Sequence, residues 1–217
     1  MFRLHHALAA LALLGFAPGA LFAGTVLYQG TFISDSEFAQ FEFELATESD
    51  LSIRSWGYAG GIVPTSPSST TISSGGFATN LLLFDNVGDL IRSDNGGVCK
   101  TTGEDPVTGN CSDGLIEATL VAGRYTLVLA EWNNTSVDGT LSGWLTQVDS
   151  PGFTCAQFGL SGNFCDLTTA LGDTRTGDWA VSFSGDGLLT DTPEPSTALM
   201  VILPALGLGL VSRRRKR

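Results

Sequence analysis

Four cysteines and a missing histidine set the chemistry open to this chain. Cys99 and Cys111 stand 12 positions apart, and Cys155 and Cys165 stand 10 apart, all within stretches rich in Gly, Ser and Thr. In an oxidising compartment four such cysteines form two disulfides, and three pairings are open. The local pairs Cys99–Cys111 and Cys155–Cys165 are expected, because each would staple one long loop. Zinc is the alternative, but there is no Cys-x-x-Cys spacing and no histidine to complete a ligand set. His5 and His6 are the only histidines, and both lie in an N-terminal segment that reads as a cleaved leader. Without them, Ser-His-Asp and Cys-His nucleophiles and histidine general bases drop out. A pair of carboxylates could still hydrolyse a glycoside. With 21 acidic residues between 24 and 192, no pair stands out from surface charge. The expectation is a protein that is not an enzyme.

Acidic loops raise a second chemistry. Asp85, Asp89, Asp94, Asn95, Asp105 and Asp113 gather in sequence around the Cys99–Cys111 segment. Carboxylates, amides and loop carbonyls are the oxygen ligands calcium takes. Asp94, Asn95 and Asp113, with Asp85 nearby, are the residues that would hold it. The same residue types are the ordinary currency of β-turns, and no EF-hand loop is present. A third chemistry is aromatic stacking on sugars. Trp56 and Tyr58, and Trp132 beside Asn133 and Asn134, pair rings with polar groups in the manner of a saccharide surface. The competing expectation is that Trp56, Trp132, Trp144 and Trp179 fill a core.

The elements that must position these groups are strands. Phe41–Leu45 and Leu51–Trp56 alternate apolar and polar residues. Leu81–Phe84 is a short apolar strand turning through Asp85–Asp89 into Leu90 and Ile91. Ile116–Leu120 and Tyr125–Ala130 flank Val121–Arg124 as a tight hairpin, and Leu141–Val148 and Trp179–Phe183 supply later strands. Gly57–Gly76, rich in Gly, Pro, Ser and Thr, reads as a long loop. No stretch of the body keeps a 3.6-residue period. Short strands between Gly and Asp turns predict an all-β, antiparallel β-sandwich over residues 24–190.

Both ends read as addresses. Residues 1–23 carry Arg3, an apolar stretch from Ala7 to Phe16, the helix-breaking pair Pro18-Gly19 and then Ala23, a small residue suited to signal peptidase. Cleavage after Ala23 is expected, with Ala20 the alternative. At the other end, Pro193-Glu194-Pro195-Ser196 precedes the uncharged run Ala198–Val211. Two prolines keep that entry extended. Fourteen helical residues span about 21 Å, so Pro195–Ser212 would make a short membrane helix. Arg213, Arg214, Arg215, Lys216 and Arg217 would hold the terminus on the cytoplasmic side. The segment between the two addresses has five basic residues against 21 acidic ones, a net charge of −16. That field repels nucleic acid and anionic lipid, and it suits solubility or a hydrated matrix.

The Pro-Glu-Pro motif, apolar run and basic cluster of residues 191–217 together resemble the PEP-CTERM sorting signal of Gram-negative bacteria. The resemblance implies processing by an exosortase, a membrane-anchored precursor, and delivery to the outer envelope, cell surface or extracellular matrix. It also implies a link to exopolysaccharide and biofilm. A second resemblance covers about residues 27–130. The order Phe41-x-Phe-x-Leu45, Leu51-x-Ile53, Leu81-x-Leu-Phe-Asp85, Gly88-x-Leu90, Ser93-Asp-Asn-Gly96 and Leu120-x-Ala-Gly-x-Tyr-x-Leu127 is similar to the bacterial pre-peptidase C-terminal domain. That resemblance implies a jelly-roll-like sandwich that elsewhere accompanies a catalytic domain, and some of its members bind calcium. The expected function is therefore a non-enzymatic, exosortase-sorted surface protein. The alternative is a carbohydrate-binding, lectin-like domain or a carboxylate-pair glycoside-acting one.

Overall fold

The computed structural model describes residues 22–65, 67–132, 134–146, 163–166 and 173–190. The leader up to residue 21, Cys155, and the sorting motif with its apolar run and basic cluster (191–217) lie outside the described residues. Within them the chain is all-β and antiparallel. The strands are β1 (Phe22–Thr31), β2 (Phe38–Leu45), β3 (Ser49–Ser55), β4 (Gly61–Thr65), β5 (Ser68–Ile72), β6 (Thr79–Phe84), β7 (Leu90–Asp94), β8 (Leu115–Leu120), β9 (Gly123–Glu131), β10 (Cys165–Asp166), β11 (Asp173–Thr174) and β12 (Asp178–Thr190). Two short helices, α1 (Cys99–Thr102) and α2 (Leu141–Thr146), interrupt them.

One eight-stranded sheet runs β7-β6-β9-β2-β12-β3-β8, with β1 on β12. The long β12 is the seam. It pairs with β1 from Asp178 to Leu188, with β3 from Val181 to Gly185, and with the end of β2 from Leu188 to Thr190. The sheet thereby curls into a nearly closed, sandwich-like barrel. The side chains that alternate inward meet in its centre: Phe41, Phe43 and Leu45 from β2, Leu51 and Ile53 from β3, Leu127 and Leu129 from β9, Val181 and Phe183 from β12. Phe183 lies edge-on to Phe41 and Phe43, with ring centroids 5.7 and 5.6 Å apart. The period-2 pattern read from the sequence is the pattern of burial.

β6 is buried at every position. Leu81 and Leu83 face the centre, while Leu82 and Phe84 pack outward with Val128 and Ala130 beneath Phe38, Leu90 and Leu141. That second cover explains a continuous apolar run in a strand.

Three sequence expectations give way. Gly57–Gly76 is not a loop throughout: β4 and β5 form a hairpin that lays Val63 and Ile72 over Trp56 and Ala180 on the outer face. Its β-branched residues (Ile62, Val63, Thr70, Thr71, Ile72) carried that signal beneath the Ser and Gly content. Val121–Arg124 does not close a hairpin. β8 pairs with β3 and β9 with β2 and β6, so the chain arches from one side of the barrel to the other. The Tyr125 hydroxyl donates to the Val121 carbonyl at 2.9 Å, a tyrosine corner that pins the arch. Lastly, Leu141–Thr146 is helical, not extended. Thr140 caps it, its hydroxyl accepting the Gly143 N–H at 3.0 Å, and Asp138 holds Thr140 in turn. No helix among the described residues is long and apolar enough to cross a membrane.

Candidate functional site

The Cys99–Cys111 disulfide forms as expected, with Cα atoms 4.9 Å apart. Cys165 is also disulfide-bonded, to a partner outside the described residues. Between Cys99 and Cys111 the chain makes one helical turn and a polar loop that docks on the end of the barrel. Three side chains distant in sequence hold it there. The Arg54 guanidinium donates to the Thr102 carbonyl at 2.6 Å while lying 3.6 Å from the centre of the Trp56 ring. Tyr58, fully buried, meets the Thr108 hydroxyl at 3.3 Å. Arg175 pairs with Asp105 at 3.1 Å, donates to Thr108 at 3.3 Å, and sits 4.1 Å from the centre of the Tyr58 ring.

Asp105 is a buried cap. It accepts the Val107 and Thr108 N–H groups and the Thr108 hydroxyl besides Arg175. Burial would raise its pKa, but Arg175 and the Thr108 donors outweigh burial and hold the carboxyl below its ordinary range.

Asp113 is the opposite case. It is fully buried and accepts the Ser55 hydroxyl at 3.0 Å, the Tyr58 N–H at 3.1 Å and the Ala59 N–H at 2.8 Å. Burial nevertheless pushes its pKa up. Nearby, Ser55 bonds Thr79 at 2.5 Å and accepts the Gly114 N–H, so the network ties β3, β6 and the start of β8 together. Asp113→Asn is expected to remove about 2 kcal/mol of stability, measured by urea unfolding, because one amide hydrogen must then face the Ala59 N–H.

The four residues named for calcium are not one cluster. Asp85 follows β6, and its carboxylate accepts the Val87 and Asp89 N–H groups of its own turn, where Gly88 takes a φ of 89°. Asp94 stands opposite Leu81 at the far end of that strand, about 13 Å along. It accepts the Gly96 and Leu115 N–H groups and so joins β7 to β8. Asn95 is exposed beside it, and Asp113 turns inward. Among the described residues no three Asp, Glu, Cys or His side chains form a metal-binding group.

Carboxylates also line a cleft of about 510 Å³ that includes Glu42, Glu44, Asp85 and Arg124. There Glu44 pairs with Arg124 at 3.2 Å on the exposed surface, and Asp85 is engaged in its turn.

The aromatic residues separate into two kinds. Trp56 is buried, and its Nε1 donates to Ser182 at 2.8 Å; Trp179 packs against the central cluster. These follow the core expectation. Trp132 does not. Half-buried at the end of β9, it lines a cleft of about 470 Å³ with Asn95, Asn110, Ser112 and the Cys99–Cys111 bridge. Asn134 is taken by the fold, donating to the Asp35 carbonyl at 2.6 Å. The side chain of Trp144 and residue Asn133 lie outside the described residues. Sequence reasoning singled out Trp132 but not Ser112 or Asn110, which no motif marks.

No protein-family model matches this sequence, and no curated protein matches it either.

Proposed function

We propose that this chain is an exported, disulfide-stapled envelope protein, sorted by an exosortase and free of catalytic activity of its own. In this reading residues 1–23 are removed by signal peptidase, and residues 24–190 form a jelly-roll-like sandwich outside the inner membrane. Residues 191–217 are the sorting signal. Pro193–Ser196 is the processing motif, the apolar run a membrane helix, and Arg213–Arg217 the cytoplasmic stop. The observation that carries the reading is the Cys99–Cys111 disulfide in a chain that ends in this tail. A disulfide of this kind belongs to an oxidising compartment. The acidic body, with its repulsion of nucleic acid and anionic lipid, fits a hydrated extracellular polysaccharide layer.

Intact-mass spectrometry of the protein from a Gram-negative host carrying an exosortase tests it. The expected species starts at Gly24, retains both disulfides, and ends near Pro193–Pro195. A species still carrying Arg213–Arg217 in that host, unchanged when the exosortase is deleted, would overturn the reading.

A further inference from the structure

We propose that the cleft between the disulfide loop and the end of β9 is a binding site for a neutral saccharide. Trp132 is its stacking platform, and the Ser112 hydroxyl and Asn95 amide are its hydrogen-bonding groups. The site names a partner for the envelope reading, but it does not depend on the tail being processed.

The charge of the cleft selects a neutral ligand. The body carries 21 acidic residues against five basic ones, yet no ionisable side chain lines this cleft. Recognition there must run through hydrogen bonds and apolar contact. A charged ligand would give up its hydration and find no counter-ion.

Ser112 points the same way. It is nine-tenths buried and lines the cleft. Its carbonyl accepts the Thr79 N–H and hydroxyl, but its own hydroxyl has no partner among the described residues. The hydroxyl is not one of the sealed polar atoms left without a partner, so it meets solvent through the cleft, and a ligand hydroxyl reaching in would take the place of water there. Asn95, exposed at the rim, offers both a donor and an acceptor.

The cleft is also rigid. The Trp132 N–H donates to the Ala78 carbonyl at 2.9 Å, which anchors the ring's backbone to the barrel. On the opposite wall the Gly97 N–H donates to the Cys111 carbonyl, and the disulfide closes the loop. Gly96, at a φ of 84°, passes so close that a Cβ there would come within 2.8 Å of the Ser112 backbone. A wall held in this way loses little freedom on binding. By contrast, Trp56 is buried beneath Arg54 and has no face to offer. An aromatic face, amides and a hydroxyl in an uncharged cleft match the apolar face and hydroxyl edge of a pyranose ring.

The test is native affinity electrophoresis of the full chain, exported to an oxidising periplasm and purified in mild detergent. The gels contain hydroxyethylcellulose, galactomannan or dextran, with anionic alginate as the charged comparison. At least one neutral polymer is expected to retard the protein, and alginate is not. Trp132→Ala should weaken the association about tenfold or more, and Trp132→Phe should retain part of it. Ser112→Ala should weaken binding while leaving the melting temperature unchanged or raised, which a merely structural serine would not do. Asn95→Ala, on the exposed rim, should weaken binding in a protein that folds normally. The proposal is overturned if no neutral polymer retards the wild-type protein, if only alginate does, or if retardation survives both Ser112→Ala and Asn95→Ala. Intact mass of the same preparation reports tail processing separately, so the two readings fail independently.

Discussion

Asp105→Asn is expected to destabilise the body by about 3–5 kcal/mol, because it leaves the Arg175 guanidinium buried without its counter-charge. Both partners are sealed from solvent, with side-chain exposures of 6% for Arg175 and 0% for Asp105. Desolvating two ions is unfavourable, and the pairing, the Val107 and Thr108 donors, the Arg175–Thr108 bond and the Tyr58 face offset it. For a domain of this size each kcal/mol moves the melting temperature by roughly 2–4 °C, so calorimetry will resolve the loss. Combining Asp105→Asn with Arg175→Met should recover most of it, since neither charge then remains buried and the Asn oxygen still accepts the Val107 and Thr108 donors.

The pair also carries a pH dependence. The Asp105 carboxyl titrates below its ordinary value of 3.8 when folded. Its contribution is therefore complete above the unfolded value and is lost as the pH falls through the folded one. The stability gap between the wild-type protein and Asp105→Asn should be constant near neutral pH and close below about pH 4. Asp113 works in the other sense. Burial raises its pKa, so it disfavours the folded state as the pH rises through its unfolded and then folded values. Comparing wild type with the Asp105 variant removes that shared background.

Removing the Cys99–Cys111 bridge, by Cys99→Ser with Cys111→Ser, is expected to cost about 3 kcal/mol and lower the melting temperature by roughly 6–12 °C. The bridge closes a loop with a sequence separation of 12. Opening it restores that segment's freedom in the unfolded chain. The same segment is held in the folded state by Arg54 on Thr102, by Tyr58 on Thr108 and by Arg175 on Asp105. Two ties on one loop are not independent. The combined Cys99, Cys111 and Asp105 variant should therefore lose less than the sum of the two effects. An additive result would show that the bridge and the ion pair stabilise separate units.

What could be read from the residues alone follows a single physical rule. Where one face of a strand meets the core and the other meets solvent, period-2 alternation writes the strand into the sequence, as in Phe41–Leu45 and Leu51–Ser55. Turn chemistry is local too, so Asp85–Asp89 was legible. The Cys99–Cys111 pairing was expected from short separation, and the absence of histidine from the body needed only counting.

Elements whose faces are decided by a remote partner were not legible. The β4–β5 hairpin hides among Ser, Gly and Pro: its β-branched residues hint at strands but not that Val63 and Ile72 cover Trp56 and Ala180 on the outer face. Leu141–Val148 fails differently: Leu141, Trp144, Leu145 and Val148 recur at helical spacing, a local signal the strand expectation passed over, and the Thr140 cap starts the helix. Val121–Arg124 has hairpin chemistry, but β8 and β9 find different neighbours across the barrel. The Asp105–Arg175 pair joins residues 70 positions apart, and Ser112 comes to line one cleft with Trp132 and Asn95 only in the folded chain. Residue types and nearest neighbours thus settled the alternating strands, the Asp85–Asp89 turn and the local Cys99–Cys111 bridge. Which carboxylates are buried, which tryptophan faces solvent, and where an uncharged cleft opens on an acidic body were settled by tertiary packing, because burial depends on contacts that sequence spacing does not encode.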